Sequence, residues 1–380
     1  MSSKVFTALG LMSGTSLDGI DAAIIKTDGE KILEFGPTKN FVYDLLQKRK
    51  LEKATRTALR WKFNGKRPGR LETAEKFVDE MHIYACKSLI AENQCDLIGY
   101  HGQTVVHKPP QKGELGQTLQ LGRGQVLADA LNLPCVYDFR TNDMSHGGQG
   151  APLAPIYHKA LCEYSKLSGK IVVLNLGGVG NFTLIDGERI AASDTGPANG
   201  PLDNWLYRFG IDYDKDGDVS ANGKFDLALI EKWLREIPFF KEEGTKSADR
   251  YDFDVIGDIM QKTAEDGAAT LAAFCAASVK HTLAKIEIRP ERIIVCGGGR
   301  KNKTILKLLG ELIKCPIETA EDVGWMGDDI EAQACAYFAV RSNLGLPLSY
   351  PETTGVPKPM TGGVMAFPHT ENKAEPHDSA

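Results

Sequence analysis

The sequence predicts an α/β fold that is repeated in two halves of the chain. Strand-like apolar runs alternate with segments of helical periodicity along most of its length. The first half opens with two apolar runs, 5–12 and 20–25, which a short loop containing Ser and Gly joins as a hairpin. The same order of strand, Gly-rich turn and strand returns at 171–185. Two such openings predict a duplicated fold, although two unrelated hairpins would give the same pattern.

Hydrophobic periodicity locates the other elements. In the first half it predicts strands at 31–43, 97–100 and 134–139 and helices at 45–59, 70–91, 122–132 and 155–164. In the second half it predicts strands at 171–176, 182–185, 190–192, 292–296 and 317–320, and helices at 201–208, 225–237, 263–286, 302–313 and 328–340. A polar stretch at 165–170 separates the halves. Residues 346–368 are expected to pack as extended chain, and the last ten or so to be disordered.

Composition excludes several classes of protein. The 380 residues suffice for two or three domains. The net charge is -5, and we interpret the basic stretch at 62–70 as a solvated loop, so we expect no nucleic-acid partner. No apolar run approaches about 20 residues, which predicts no membrane span. The eight cysteines include no C-x-x-C pair, which disfavours zinc and disulfide sites and fits a reduced, cytoplasmic compartment.

The loop of the first hairpin is a candidate phosphate site. Its small hydroxyls and glycines can turn several donors toward one point, which suits phosphate oxygens. The candidate contacts are Ser13, Gly14, Thr15, Ser16, Asp18 and Gly19. Asp18 and Asp21 also supply carboxylates that suit Mg²⁺, directly or through water. The alternative is an ordinary hairpin with a polar turn.

Two further polar segments follow predicted strands of the first half. His101, Gln103 and Thr104 come after the strand at 97–100, at the end where open α/β sheets place ligands. Their amide and hydroxyl groups suit a sugar, and a structural histidine beside a turn glycine is the alternative. Arg140 follows the strand at 134–139 and suits a substrate carboxylate. On the residues alone, a structural pairing of Arg140 with Asp138 or Asp143 is at least as well supported.

The second half adds a carboxylate and two Gly-rich turns. Asp194 stands between an apolar segment and a Gly-Pro turn, which can aim it into a cleft, although Asp is also a common turn residue. Gly177 and Gly178 form the turn of the second hairpin. The order strand, Gly297 to Gly299, helix is a nucleotide-binding geometry. It matches neither a P-loop nor a Rossmann fingerprint.

Two acidic segments have competing interpretations. Glu331 lies at the start of a predicted helix, where an acidic third residue behind an Asp N-cap is a capping arrangement. Its functional interpretation is an acidic group that reaches a nucleotide's metal. Residues 212–217 match the first half of a calcium loop, but the twelfth position is Gly223 instead of the required Glu. We therefore interpret this stretch as an acidic solvated loop followed by a turn at 220–223.

Taken together, these motifs resemble one bacterial family. The segments are GLMSGTSLDGIDAAI, YHGQTVVH, YDFRTNDMSHGGQGAPLAP, VLNLGGVGNFTLI, SDTGPANGPLDNW and IIVCGGGRKN. In this order they resemble the anhydro-N-acetylmuramic acid kinases, from Gly10 to about Pro368. MSGTSLDG together with GGQGAPL is the most specific part. The resemblance implies a two-domain actin-like (ribonuclease H-like) ATPase fold, with duplicated mixed sheets flanked by helices and ATP in the cleft between the domains.

The resemblance also implies an activity. The family uses ATP and water to convert 1,6-anhydro-N-acetylmuramic acid into N-acetylmuramic acid 6-phosphate and ADP, in cell-wall recycling. Ser13 to Gly19 corresponds to its first ATP phosphate motif and Gly297 to Gly299 to its adenosine motif. Asp194 matches the catalytic aspartate, and Glu331 matches an acidic residue near the metal and phosphates. The expected ligands are ATP, Mg²⁺ and the amino sugar, and the expected assembly is a homodimer.

Site residues and domains follow as expectations from the motifs and the resemblance. The predicted sugar contacts are His101, Gln103, Thr104, Arg140 and Gln149, and the predicted metal ligands are Asp18 and Glu331. The predicted domains are 1–168 and 169–345, followed by a C-terminal segment at 346–380. Two rival functions remain: an ordinary kinase of a free sugar hydroxyl, and an ATP-switched binding protein of the chaperone type. The second rival requires an appended peptide-binding domain, for which little chain follows the adenosine-type motif.

Overall fold

The first half of the protein begins with the predicted hairpin. The computed structural model describes residues 4–110, 116–241, 248 and 250–369. The first elements are β1 (Phe6–Ser13), β2 (Gly19–Thr27), β3 (Ile32–Val42), α1 (Leu45–Trp61) and α2 (Gly69–Ile90). Asp44 begins α1 with a capping box, because its carboxylate accepts the Gln47 N–H while the Gln47 side chain accepts the Asp44 N–H. Gly19 belongs to β2 and not to the loop.

The rest of the first half contains one longer strand than the sequence predicts, and two elements that it does not predict. Its elements are β4 (Leu97–Lys108), β5 (Gln117–Leu121), α3 (Gly124–Leu131), β6 (Cys135–Tyr137), α4 (Thr141–Ser145) and α5 (Pro155–Tyr164). The longer strand is β4, and the elements that the sequence does not predict are β5 and α4. His101, Gln103 and Thr104 therefore lie inside β4, and their prediction as residues beyond a strand end is wrong. The cause is β5, which pairs antiparallel with the second part of β4 and extends its hydrogen-bonded ladder.

The second half repeats the strand and helix pattern. Its elements are β7 (Ile171–Leu176), β8 (Val179–Asp186), β9 (Arg189–Pro197), α6 (Asn199–Tyr207), α7 (Asp218–Ala221), α8 (Leu227–Glu236), α9 (Ala264–Lys285), β10 (Arg292–Cys296), α10 (Lys303–Ile313), β11 (Ile317–Thr319), α11 (Ile330–Asn343), α12 (Pro351–Thr354) and β12 (Val364–Ala366).

Two local predictions in the second half are wrong. Asp194 lies within β9, paired with Asn181, and not beyond the strand. Residues 220 and 221 of the turn predicted at 220–223 belong to the short helix α7. This helix forms because the Asp214 carboxylate accepts hydrogen bonds from the N–H groups of Val219 and Ser220 at its start.

Strand order confirms the duplication. The first sheet runs β12-β6-β4-β1-β2-β3, with β5 also on β4, and the second runs β11-β10-β7-β8-β9. In each sheet, three antiparallel strands (β1-β2-β3, β7-β8-β9) are followed by two strands parallel to the first of them. The predicted fold class, two mixed sheets flanked by helices, is confirmed. Among the described helices, none is long and apolar enough to cross a membrane.

Helix α11 lies against the first sheet and shares one apolar core with both sheets. The core contains Ala8 of β1, Val173 of β7 and Ala336 of α11. The helix approaches the first sheet closely because β1 and β4 present Gly10 and Gly99 to it. A side chain at either glycine would collide with the backbone of α11. This contact directs the first turn of α11 to the boundary between the two sheets.

The end of the described chain returns to the first half. Strand β12 pairs antiparallel with β6, and the Thr354 hydroxyl donates to the buried carboxylate of Asp143 at 2.6 Å. The segment predicted as extended chain therefore also contains the short helix α12 and a strand of the first sheet. The prediction of disorder at the chain end falls on residues 370–380, which lie outside the described residues.

Candidate active site

Four side chains form a row across the second sheet. Asp194 pairs with Asn181, Asn181 with Asn175, and Asn175 with Cys296, on four adjacent strands. Paired residues on adjacent strands point to the same face of a sheet. That face also carries Val173 and packs against the core shared by the two sheets. The row places a carboxylate and two amides where this apolar core ends.

Asp194 has the electrostatics of a general base. Burial raises its pKa to about 7, and the Ala248 N–H, which donates to the carboxylate at 2.8 Å, acts against that rise. A base whose pKa lies near neutrality takes up a proton efficiently and is still ionised in a large fraction of molecules. The row therefore ends in a group suited to proton abstraction.

The first turn of α11 brings a second carboxylate to the same boundary. The Glu331 side chain reaches solvent, yet protein surrounds it on most sides. The resulting desolvation raises its pKa, the Asp21 carboxylate adds to the rise, and Arg140 opposes it. Burial raises the pKa of the Cys296 thiol in the second sheet, and the Glu331 carboxylate adds to that rise. The charge of Glu331 thus acts toward the polar row of the second half, while Asp21 and Arg140 of the first half act on Glu331.

The capping interpretation of Glu331 is wrong. Helix α11 begins at Ile330, so Glu331 is its second residue, and the N-cap side chain of Asp329 makes no capping hydrogen bond. Glu331 instead joins an acidic group around Asp21. Burial raises the pKa of Asp21, Asn40 donates a hydrogen bond that opposes the rise, and Asp329 adds to it.

The tip of the first hairpin is exposed and its base is buried. Thr15, Ser16 and Asp18 are exposed, and the Asp18 carboxylate lies 3.3 Å from the Lys48 ammonium. Gly14 is anchored from below, because the Gln103 amide donates to its carbonyl at 2.6 Å. Gln103 is therefore a support of the loop that the sequence predicts as a phosphate site.

Ser13 faces inward beneath this loop. Its hydroxyl is buried, donates to the Gly102 carbonyl at 3.0 Å and lies 3.1 Å from Nε2 of His82. Nδ1 of His82 lies 2.7 Å from the Val78 carbonyl and therefore carries a proton. These bonds tie β1, β4 and α2 together behind the loop, so the Ser13 hydroxyl has its partners inside the protein.

Arg140 pairs with His101. Its Nε and Nη2 lie 3.2 and 3.0 Å from Nε2 of His101, and Nη1 donates to the Gly150 carbonyl at 2.7 Å. Because the guanidinium can only donate, Nε2 accepts and Nδ1 donates to the Gly102 carbonyl. Burial and Arg140 together lower the pKa of His101 to about 3. The alternative pairing of Arg140 with Asp138 or Asp143 is wrong.

The other predicted sugar contacts, Thr104 and Gln149, have hydrogen-bond partners within the first half and the C-terminal segment. Thr104 accepts a long hydrogen bond of 3.5 Å from the Gln120 amide, and the Gln149 N–H donates to the Thr354 carbonyl. A cavity of about 170 Å³ lies beside His101, between the ends of β5 and β6, and Gln120 also lines it. The structure therefore places His101, Arg140 and Gln149 around one region of the first half.

The two Gly-rich turns of the second half face each other across Asn199. Backbone N–H groups of α6 donate to the carbonyls of Gly177 and Gly178. The Asn199 amide donates to the Leu176 carbonyl at 2.9 Å and would lie 3.7 Å from a Cβ at Gly298. Gly297 has a φ of +72°, which explains the glycine there. Gly298 borders open space in front of the turn.

Sequence reasoning missed the residues that connect these parts. Asn175, Asn181 and Asn199 stand beside Gly-rich turns, and that position is the signal that could have identified them. Arg300 directly follows the triple-glycine turn and shares this signal, whereas His82 carries none. Arg300 is buried and its guanidinium lies 2.9 Å from both Glu321 and Asp328, which ties the triple-glycine turn to the loop before α11.

The described residues include one carboxylate pair suited to a magnesium ion. Asp21 lies near enough to Glu331 that its charge raises the pKa of Glu331, and carboxylate oxygens are the ligands that Mg²⁺ prefers. Within the described ranges, no group of three or more His, Cys, Asp or Glu side chains is arranged to hold a metal. Two carboxylates are sufficient for Mg²⁺ when waters and substrate phosphates complete its shell.

Comparison with known proteins gives a consistent result. A model of the family "anhydro-N-acetylmuramic acid kinase" matches residues 6–368. The chain is 44% identical to a protein of that name from Bradyrhizobium diazoefficiens, over 96% of this chain and 100% of the relative. It is 45% identical to another from Methylorubrum populi, over 95% of this chain and 99% of that one.

A solved xylulose kinase from Lactobacillus acidophilus superposes with a TM-score of 0.42 and 10% identity, over 96% of this chain and 94% of that one. The family assignment depends on the sequence matches, which extend from the first strand of the first sheet to the end of the last. The chain belongs to the anhydro-N-acetylmuramic acid kinase family.

Proposed function

We propose that this kinase opens the anhydro ring of 1,6-anhydro-N-acetylmuramic acid with water and phosphorylates O6 with ATP, at the boundary between the two sheets. The observation that carries this assignment is the polar row from Asp194 to Cys296, which Glu331 continues toward Asp21 and Arg140. In this proposal the near-neutral base and the candidate sugar-binding region belong to one site.

Asp194 is the proposed base. In the substrate O6 is bonded to C1, so no free hydroxyl exists at position 6. Asp194 takes a proton from a water molecule while that water's oxygen forms a bond to C1. The C1–O6 bond breaks, and O6 attacks the γ-phosphorus as the bond to ADP breaks. Asp194 then releases its proton to solvent. The raised pKa favours the proton transfer.

Arg140 is the proposed partner of a carboxylate on the sugar. Its bonds to His101 and Gly150 hold the guanidinium in place without neutralising it, because His101 stays uncharged. A held cation of this kind binds a carboxylate with little loss of side-chain freedom. We assign Thr104 and Gln149 as further sugar contacts. Gln103 contributes indirectly, because it supports the loop of the first hairpin.

The proposed nucleotide site lies between the three Gly-rich turns. Thr15, Ser16 and the backbone of Ser13 to Gly19 would face the phosphates, with Gly177 and Gly178 opposite and Gly297 to Gly299 beside the nucleoside. Asp21 and Glu331 would hold Mg²⁺, and Asp18 would act through water from the exposed tip. The ion, when bound, neutralises charge on the transferred phosphoryl group.

An isotope experiment tests the proposed reaction. The protein is incubated with ATP, Mg²⁺ and 1,6-anhydro-N-acetylmuramic acid in ¹⁸O-labelled water, and the product is analysed by mass spectrometry. We expect one label at C1 of the sugar 6-phosphate, and none in a matched reaction with free N-acetylmuramic acid after correction for exchange at C1. An unlabelled product, or ADP formed only with free sugars, would instead identify an ordinary hydroxyl kinase.

The family resemblance also leads us to propose a homodimer in the bacterial cytoplasm. Light scattering of the purified protein would test the assembly, and a mass of one chain at assay concentration would contradict it.

A further inference from the structure

Asp203 is a carboxylate that the reaction above leaves without a role. It lies on α6 and is partly buried. Burial raises its pKa to about 7 and the neighbouring Asp214 adds to the rise, while no hydrogen bond from a described residue lowers it. A half-buried carboxylate normally has donors. No described residue donates a hydrogen bond to this one.

The position of Asp203 on α6 is beside the proposed nucleotide site. Residues four apart lie on the same face of a helix, one turn on. Asp203 is therefore one turn beyond Asn199. The side-chain amide of Asn199 donates a hydrogen bond to the Leu176 carbonyl at the end of β7 and lies next to Gly298. One turn advances about 5.4 Å along the helix axis, roughly the step from a nucleotide's phosphates to its ribose.

Asp214 lies close enough for its charge to act on Asp203, but its own carboxylate already accepts several hydrogen bonds. It accepts hydrogen bonds from the Ser220 hydroxyl at 2.6 Å and from the Asn302 amide at 3.1 Å. Asn302 follows the triple-glycine turn and donates its N–H to the Gly299 carbonyl. Asp214 thus holds α7 against the turn, and Asp203 is the member of the pair that accepts no hydrogen bond from a described residue.

We propose that Asp203 accepts hydrogen bonds from the ribose hydroxyls of the bound nucleotide and makes the enzyme selective for ribonucleotides. A carboxylate repels phosphate, whereas its two oxygens match the two O–H donors of a vicinal diol. The Gly-rich turns accommodate the phosphates and the base, neither of which distinguishes ribose from deoxyribose. The inference rests on the nucleotide site proposed above and adds its sugar contact.

Binding of ADP, 2′-deoxy-ADP and 3′-deoxy-ADP, measured by calorimetry, tests this assignment. For the unaltered protein we expect either deoxynucleotide to bind about 10- to 100-fold more weakly, as loss of a hydrogen bond to a charged group predicts. Asp203→Asn should weaken ADP by a similar factor and bring the three affinities within about threefold. Asp212→Asn makes the same chemical change at an exposed position and should keep the preference.

Gly298→Val separates failure of this inference from failure of the nucleotide site. A side chain at Gly298 meets only the Asn199 amide, so the variant should fold and obstruct the site. Unchanged ADP binding by Gly298→Val would overturn the nucleotide site itself. Loss of binding there, with an intact ribose preference in Asp203→Asn, would overturn the role of Asp203 alone. An equal loss for all three nucleotides in Asp203→Asn would also overturn it and indicate a structural role.

Discussion

Asp194 owes its proposed role to a balance between burial and one hydrogen bond. Burial at the edge of the shared core raises its pKa to about 7, while the Ala248 N–H holds it from rising further. Farther into the core the carboxylate would be protonated at neutral pH, and in open solvent it would be a weak base. Its place in β9, opposite Asn181, sets this degree of burial.

Replacing Asp194 with Asn should remove the base and keep the shape of the site. We expect kcat to fall roughly 10²- to 10⁴-fold, the range that general-base catalysis contributes, while ADP affinity measured by calorimetry stays within a few-fold. In the unaltered protein, kcat/KM should fall as the pH drops below about 7, because protonation removes the base. A variant that keeps most of its kcat would show that Asp194 is not the base.

Among the elements, α11 connects catalysis to the fold. Its close contact with β1 and β4 depends on Gly10 and Gly99, and its first turn carries Glu331 to the boundary of the sheets. The sequence marks these glycines only as small residues within apolar runs. The tertiary structure explains them, because α11, more than 200 residues away in the chain, packs directly against both glycines.

Gly10→Ala should displace α11. We expect a loss of about 1–3 kcal/mol of unfolding free energy, the usual result of overpacking a dense core, and a fall in kcat larger than the change in KM. Denaturant unfolding and steady-state kinetics measure the two effects. Gly69→Ala, at a position where a side chain meets nothing within 4 Å, is the matched control. Similar stability for both variants would contradict the close-contact explanation.

The whole molecule holds several histidines in the neutral state. Burial lowers the pKa of His82 and His158 to about 4. Between about pH 6.5 and pH 4 the unfolded chain therefore binds protons at these positions while the native protein does not. Each such histidine makes the native state less stable as the pH falls through this window, and carboxylates with raised pKa values act in the opposite direction.

His158→Gln should remove the pH-dependent contribution of one buried histidine to stability without changing the candidate active site. His158 packs α5 on the second sheet, with Nδ1 2.9 Å from the Thr183 hydroxyl. The unfolding free energy of the unaltered protein minus that of the variant should rise with pH from 4 to 6.5, by about 1.4 kcal/mol per pH unit. A flat difference for His158→Gln would mean that this histidine titrates alike in both states.

The local elements along the chain could be predicted from the sequence. Apolar periodicity located both hairpins, most helices and the strand before Gly297, because each depends on which faces of a short segment are apolar. The candidate residues at Gly-rich turns could also be identified from the sequence, since backbone freedom and small hydroxyl groups are local properties. The resemblance to known kinases rested on the same short segments.

Contacts between distant segments were decided by tertiary structure. The extension of β4 through His101 depends on pairing with β5, and the pairing of Arg140 with His101 in place of Asp138 depends on which strand ends meet. The pKa values of Asp194 and Asp203 depend on burial beneath segments far along the chain. The sequence by itself determined the elements and the chemical groups available. The arrangement of those groups into a site came only from packing, because burial and pairing are properties of the assembled protein.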